Sequence, residues 1–208
     1  MTDGQEALGR IREDVNRVVH DAGEVTAAGV AAVSEVVQTT VSKTETAVGD
    51  AVREAIAAVA ESVAADTLAK TVEAASSTAT SVGNAANGAV TGAVRGIRGK
   101  GIEATMAIAM AARGAVVEAS QVGADLTSAA VGAVEGAIEV ANDAALSAED
   151  AAAAAATGAV EAAGEISKAA AVRVRRAVEG TIQGVRVAVR TATGRASDED
   201  NPDSVGGS

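Results

Sequence analysis

Apolar residues along this chain recur mainly at intervals of three and four positions, with polar residues between them. That spacing is typical of amphipathic helices, whereas half-buried strands alternate every second residue. Ala, Glu, Arg and Met favour helix, and no proline interrupts residues 1–201. The pattern therefore predicts an all-α protein built from long Ala/Val/Gly-rich amphipathic helices, near residues 5–37, 43–66, 68–94, 102–141 and 148–194.

A repeated phrase runs through these helices. The tripeptide "GAV" begins at Gly88, Gly114, Gly132 and Gly158, and the related "RAV" begins at Arg176. The intervals alternate between 26 and 18 residues, so the unit is 44 residues, or four elevens. A period of eleven keeps one stripe of the helix aligned along its length. We expect this unit to form a helical bundle or a hairpin array.

Two breaks and the ends of the repeat define the predicted organisation. The glycine-rich joint at 95–101 and the polar joint at 141–150 separate helices, and Ser147 is the expected N-cap of the last one. Three regions follow. Residues 1–66 are an N-terminal acidic helical segment, 67–195 hold the repeats, and 196–208 form an acidic tail whose composition predicts disorder.

The segment 168–194 illustrates the faces that such a helix would have. On a helical wheel its valines and Ile182 form an apolar stripe, its charged residues form a second face, and Ala, Gly and Thr form a third. Val172 and Val187 break this scheme. Small residues let two helix backbones approach closely. We therefore predict a helix-packing small face that includes Gly88, Gly92, Gly96, Gly132, Gly136, Gly180 and Gly184.

The composition changes the picture of the core. The chain has no Phe, Tyr or Trp, and most of its 48% hydrophobic content is Ala and Val. Aromatic residues usually supply the largest buried areas, so a core without them is thin and favours partner chains or a surface. The chain has no Cys, no apolar leader is evident, and the charge-free run 74–94 lacks Leu and Ile. We expect a cytoplasmic protein, with peripheral attachment to a membrane or inclusion as the alternative.

Charge is distributed unevenly. The net charge is -11, yet residues 168–195 carry seven cations against Glu179, a balance of +6. The tail contributes -4, which leaves -13 for residues 1–167. The cations are predicted to bind an anionic surface or a partner, and pairing with the acidic body stays an open alternative. They are Lys168, Arg173, Arg175, Arg176, Arg186, Arg190 and Arg195.

Candidate chemistry is sparse. His20 is the one histidine, and the carboxylate pairs Glu135/Glu139 and Glu161/Glu165 lack the Glu-x-x-His spacing of a bundle metal site. The phrase "GIRGKG" lacks the first glycine and the final Ser/Thr of a phosphate-binding loop. We predict no catalytic, cofactor-binding or metal-binding residues, no cofactor and no enzymatic activity.

The eleven-residue periodicity, with "KTVEAASS" and "TGAV", resembles that of lipid-surface helices such as those of synucleins and apolipoproteins, over about residues 70–195. The acidic body departs from that lysine-rich class. The first functional hypothesis is a non-enzymatic, self-associating helical protein that coats a membrane or an apolar inclusion. The alternative is a self-assembling scaffold or filament without lipid contact. The lesser alternative is nucleic-acid association through the basic helix 168–195.

Overall fold

The computed structural model describes residues 9–10, 13–14, 17, 27–43, 48–67, 73–98 and 103–190. These residues are mostly helical, so the predicted α-helical character is confirmed. Beyond the helical residues 9–10, 13–14 and 17, the elements in chain order are α1 (Ala27–Lys43), α2 (Val48–Thr67), α3 (Glu73–Gly96), α4 (Ala104–Gln121), α5 (Leu126–Val140), a 3-10 turn (Asn142–Ala144), α6 (Ala148–Ile166), α7 (Lys168–Val178), β1 (Gly180–Ile182) and β2 (Val185–Val187).

Helices that are two apart in the chain pack side by side, which gives two rows. The first row is α1, α3, α5 and α7, and the second is α2, α4 and α6. Consecutive helices also contact one another across the two rows. In the first row the neighbours run parallel, because Gly88 and Gly96 of α3 face Val30 and Gln38 of α1 in the same order.

The core is one continuous cluster of small side chains that extends from Val33 in α1 to Val187 in β2. Most of its members are Ala and Val, and Ile56 and Ile108 are its largest fully buried side chains. Protein interiors pack to a nearly constant density, so small side chains require the helix axes to lie close together. This core therefore depends on close approach of many helices rather than on a few large side chains.

The predicted helix 102–141 is wrong in its middle, because α4 and α5 are separate helices. Gly123 has φ +71°, the left-handed conformation that commonly ends a helix. The Ala124 N–H donates to the Ala119 carbonyl at 2.7 Å, and Gly123 N–H donates to Ser120 at 3.3 Å. Asp125 then caps α5, so a helix stop and a helix start follow one another directly.

The single predicted helix 148–194 is also wrong. Ser147 caps α6 as predicted, but Ser167 starts a new helix, α7, and a β-hairpin follows it. Gln183 and Gly184 have φ of +48° and +81°, as in a two-residue hairpin turn. The turn pairs Ile182 with Val185 in an antiparallel register. Alternation of valine with other residues over 185–190 favours a strand, and it competes with the helical spacing there.

The remaining predicted helices agree with the structure to within a few residues at most of their ends. The prediction 43–66 corresponds to α2, and 68–94 corresponds to α3, which ends at Gly96 at the start of the predicted glycine joint. The prediction 5–37 is only partly covered, by the helical residues 9–10, 13–14 and 17 and by α1, which continues to Lys43. Residues 99–101 of the joint, His20 and the tail lie outside the described residues.

Candidate anion-binding surface

Helix α7 is held in a fixed orientation on the rest of the protein. Its first turn is capped by Ser167, whose Oγ accepts from the Ala170 N–H at 3.0 Å. Ala170, Val174 and Val178 are buried beneath it, at positions four residues apart on one face. They pack α7 against α5 and α6. The opposite face of α7 must therefore point outward.

That outward face carries three cations around one valine. At 100° per residue, five exposed residues share one arc of about 140°. In order around the helix they are Lys168, Val172, Arg176, Ala169 and Arg173. We call these five residues the basic face. Val172 is 58% exposed, which is the largest exposure among the large hydrophobic side chains of the described residues.

Several arginines outside residues 168–195 are paired with carboxylates. Arg95 of α3 and Arg98, which follows the end of α3, both contact Asp143, each at 3.0 Å. Arg113 of α4 contacts Glu165 of α6 at 2.5 Å, and this hydrogen bond raises the pKa of the Arg113 guanidinium. These pairs join helices of the same row, or the first row to the 3-10 turn. The acidic excess of the body is thus partly used to neutralise its own arginines.

The basic segment is divided between paired and unpaired cations. Arg190 contacts Asp150 at 2.5 Å, and Arg175 contacts Glu179 at 3.5 Å. The hydrogen bond from Ser147 and then that from Arg190 lower the pKa of Asp150. No carboxylate among the described residues lies within 4.0 Å of the other four described cations, which are Lys168, Arg173, Arg176 and Arg186.

The seven predicted cations therefore do not form one surface. Lys168, Arg173 and Arg176 share the basic face of α7, whereas Arg186 is exposed on β2. Arg175 and Arg190 are occupied in ion pairs, and Arg195 lies outside the described residues. Pairing with the acidic body, the alternative left open above, is found for Arg190 through Asp150, whereas the partner of Arg175 is Glu179 of the basic segment itself. The remaining three on α7 are exposed and have no carboxylate partner within the part of the chain that the structure describes.

The predicted small-face glycines of the first row lie where backbones touch. A Cβ placed on Gly88 would lie 2.5 Å from the Val30 carbonyl oxygen, and one on Gly96 would lie 3.0 Å from that of Gln38. Gly92 faces the carbonyl of Ser34 in the same way. A side chain at any of these positions would have to displace the backbone of α1.

The same contact recurs between α3 and α5. A Cβ on Gly132 would lie 2.6 Å from the carbonyl carbon of Gly83, and one on Gly136 would lie 2.9 Å from the Cα of Asn87. Gly180 and Gly184 differ from these glycines, because they have φ of +128° and +81° in the β-hairpin, with no atom within 4 Å of a Cβ. They are turn and strand positions rather than helix-packing positions.

The predicted set omits two glycines of the second row that make equivalent contacts. A Cβ on Gly114 of α4 would lie 2.7 Å from the Gly49 carbonyl oxygen of α2. A Cβ on Gly158 of α6 would lie 2.9 Å from the Cα of Ala109 in α4. Both glycines begin a "GAV" phrase, so the same sequence signal was present at these two positions.

Polar side chains cross the contact between α3 and α5. Asn87 is 7% exposed and donates from Nδ2 to Glu139 at 3.1 Å, while Thr91 Oγ1 donates to the Gly136 carbonyl at 3.3 Å. Burial and the neighbouring Glu139 carboxylate raise the pKa of Glu135. These contacts fix the register of the two helices. Of the predicted carboxylate pairs, Glu165 is bound to Arg113 and Glu139 to Asn87.

Within the described part of the chain, every helix is too short or too polar to span a bilayer. The same residues contain no group of three or more acidic, His or Cys side chains arranged to hold a metal ion. Searches with the whole chain against protein-family models, curated proteins and solved structures find no match.

Proposed function

We propose that this protein is a non-catalytic interaction protein, a folded helical scaffold that docks on an anionic surface through the basic face of α7. One observation carries the proposal. Lys168, Arg173 and Arg176 share one exposed arc and have no carboxylate partner among the described residues, whereas the arginines of α3 and α4 are paired. Exposed cations that no described carboxylate pairs with provide, on a protein of net charge -11, a local attraction for anions that the body would repel.

Anionic lipid headgroups are the partner that suits this face best. Val172 lies between Lys168 and Arg176 on the arc, so an apolar side chain would meet the surface together with the charges. Cationic residues flanking an apolar contact are typical of helices that lie at a membrane interface. Nucleic acid is less favoured, because the chain has no aromatic residues on which bases could stack.

This mode of binding differs from a helix that spreads its apolar stripe over lipid. Val174 and Val178 of α7 are fully buried against the neighbouring helices, and so are Val33 and Val37 of α1. Exposing these valines to lipid would require separating the rows. We therefore propose that the folded protein attaches by α7 alone, with the two rows standing away from the surface.

We also propose that the scaffold is built from a 44-residue unit of two helices. Helices α4 and α6 begin at Ala104 and Ala148, and α3 and α5 end at Gly96 and Val140. Both intervals equal the 44-residue spacing of the "GAV" phrases. In this scheme α7 and the hairpin occupy the third copy, where the pattern changes from helix to strand. Repetition is how quasi-linear folds build a core from small units.

Vesicle co-sedimentation tests the docking proposal. The parent chain should bind vesicles that contain both phosphatidylcholine and phosphatidylserine. It should not bind vesicles of phosphatidylcholine alone. Each cation near an anionic membrane contributes about 1 kcal/mol, so Lys168→Gln/Arg173→Gln/Arg176→Gln should bind on the order of 100-fold more weakly. High salt should have the same effect as the substitutions.

A matched control separates position from total charge. The triple variant Arg10→Gln/Arg17→Gln/Arg53→Gln changes the net charge equally but leaves α7 intact, and it should bind as the parent does. Equal losses in the two variants would refute the assignment to α7. Binding to DNA but not to vesicles, lost in the α7 variant alone, would instead support the nucleic-acid alternative.

A further inference from the structure

A groove runs along α5, with α3 on one side and α7 on the other. Its volume is about 360 Å³, which lies in the size range of small-molecule sites. Ala177 is the residue that α7 contributes to it. Among the described residues that line it, Glu135 is the one charged side chain. The other polar side chains of the lining are Thr80 and Asn84 from α3 and Thr127 and Ser128 from α5.

The Glu135 carboxylate differs from the other carboxylates of this helix row because nothing described pairs with it. No described lysine or arginine lies within 4.0 Å of it, and no described group donates a hydrogen bond to it. Glu139, one turn later on α5, accepts from Asn87. Burial, and after it the Glu139 charge, raises the pKa of Glu135. A half-buried carboxylate without a partner is unfavourable, and a bound cation would relieve that cost.

A second acceptor beside this carboxylate also lacks a partner. Asn87 is 7% exposed, and its Oδ1 accepts no hydrogen bond from the described residues. Its Nδ2 donates to Glu139 at 3.1 Å, so the amide oxygen lies next to that carboxylate. Glu135 and Glu139 are four residues apart on α5 and therefore neighbours on one helix face. This part of the contact between α3 and α5 thus offers oxygen acceptors that lack donors.

We propose that the groove binds a small organic ammonium ion, with its charged end against Glu135 and its aliphatic stem along α5 toward Ser128. An ammonium group has three N–H donors and no acceptor, which matches a carboxylate with unused acceptor positions. Val131 and Gly132 line the groove between the two ends and suit a hydrocarbon stem. Ser128 and Glu135 are about 10 Å apart along the helix axis, which is the length of a short amino alcohol with its contacts.

A titration with two probes of equal length tests this site in the full-length protein. Aminopentanol carries the ammonium group, and pentanediol replaces it with a hydroxyl. Amide chemical shifts of isotope-labelled protein are followed by NMR at about pH 8, well above the usual pKa of a glutamate. Aminopentanol should cause saturable shifts that are largest at Val131, Gly132 and Glu135, and pentanediol should not. Absence of saturable shifts with aminopentanol, or shifts confined to other helices, would overturn the proposal.

A matched pair of variants assigns the binding to one carboxylate. Glu135→Gln keeps the shape of the side chain and removes its charge, so Kd for aminopentanol should rise by about 10-fold to 100-fold. Glu161→Gln, at an exposed position on α6, changes the net charge equally and should bind as the parent does. Equal Kd values for Glu135→Gln and the parent would refute the site. Glu135→Gln leaves the basic face unchanged, so vesicle binding can fail or succeed separately.

Discussion

The closest helix contact provides the sharpest test of the fold. Gly132 of α5 faces Gly83 of α3, and a Cβ added to Gly132 would lie 2.6 Å from the Gly83 carbonyl carbon and 2.9 Å from its Cα. Carbon atoms in favourable contact are about 3.5–4.0 Å apart. Gly132→Ala therefore requires two helix backbones to separate by about 1 Å, because no flexible side chain can move aside.

Two opposing effects determine the expected change in stability. Alanine is better than glycine in a helix interior by about 1 kcal/mol. Overpacking a well-filled site costs about 1–3 kcal/mol, and a rigid backbone neighbour favours the upper half of that range. The separation would also strain the hydrogen bonds from Asn87 to Glu139 and from Thr91 to Gly136. We expect Gly132→Ala to destabilise the protein by about 1–2 kcal/mol.

The control is a glycine with free space around it. A Cβ on Gly164, in α6, meets only the Ala171 Cβ at 4.0 Å, which is an ordinary contact. Gly164→Ala should thus gain helix propensity and stabilise the protein by up to about 1 kcal/mol. For a chain of this size 1 kcal/mol corresponds to roughly 2–4 °C in Tm. Calorimetry should show Tm falling for Gly132→Ala and rising for Gly164→Ala. A rise for both would mean that α3 and α5 do not touch as described.

Two carboxylates predict opposite responses to pH. Burial alone would raise the pKa of Asp125, but hydrogen bonds from Thr127 and Ser128 outweigh it and hold the pKa below its usual range. The stability from this cap is therefore present above the unfolded pKa and lost as pH falls through the folded one. Asp125→Ala should lower the free energy of unfolding, measured with urea, by about 1 kcal/mol at pH 7 and by less in acid. Asp125→Asn should keep the cap. An equal loss for Asp125→Ala at both pH values would contradict this reasoning. Glu135 has a raised pKa, so its favourable contribution is complete below the unfolded pKa and is lost as pH rises through the folded one. Glu135→Gln should reduce the loss of stability between about pH 4 and pH 7, and an unchanged loss in this variant would contradict the reasoning.

Residues 168–194 explain why the helical content could be predicted but the end of the helical region could not. Ile182, Val185 and Val189 fit a helical stripe, while Val185, Val187 and Val189 fit a strand, so periodicity alone favours neither. Val187 is buried by the hairpin, and Val172 is exposed on the basic face. These are the two residues that do not fit a single helix. Positive φ at Gln183 is a property of the folded turn that composition does not encode.

The sequence predicts the packing role of the glycines better than it predicts which arginines form ion pairs. A glycine in a helix interior is unfavourable, so its recurrence within a repeated phrase indicates a contact that excludes any side chain. At Gly88 and Gly132 the backbone of the neighbouring helix lies directly opposite the glycine and leaves no room for a side chain. Whether an arginine is free or paired depends instead on residues far away in sequence. Arg190 finds Asp150, 40 residues earlier, and no spacing rule identifies that partner.

The chain's lack of aromatic residues and its surface charge follow from the same packing. Helices that touch through glycine backbones leave little room for large side chains, so the core is filled by Ala and Val. Each row could accept another helix at its end, because its contacts are made by small residues that recur along the chain.

The C-terminal end departs from this pattern in two ways. The second row is closed by a strand seated on α6, and the first row ends in a helix whose outer arc is cationic. A row that ended in another face of small residues could pack against a further helix. We propose instead that the cations of α7 direct that end toward an anionic partner.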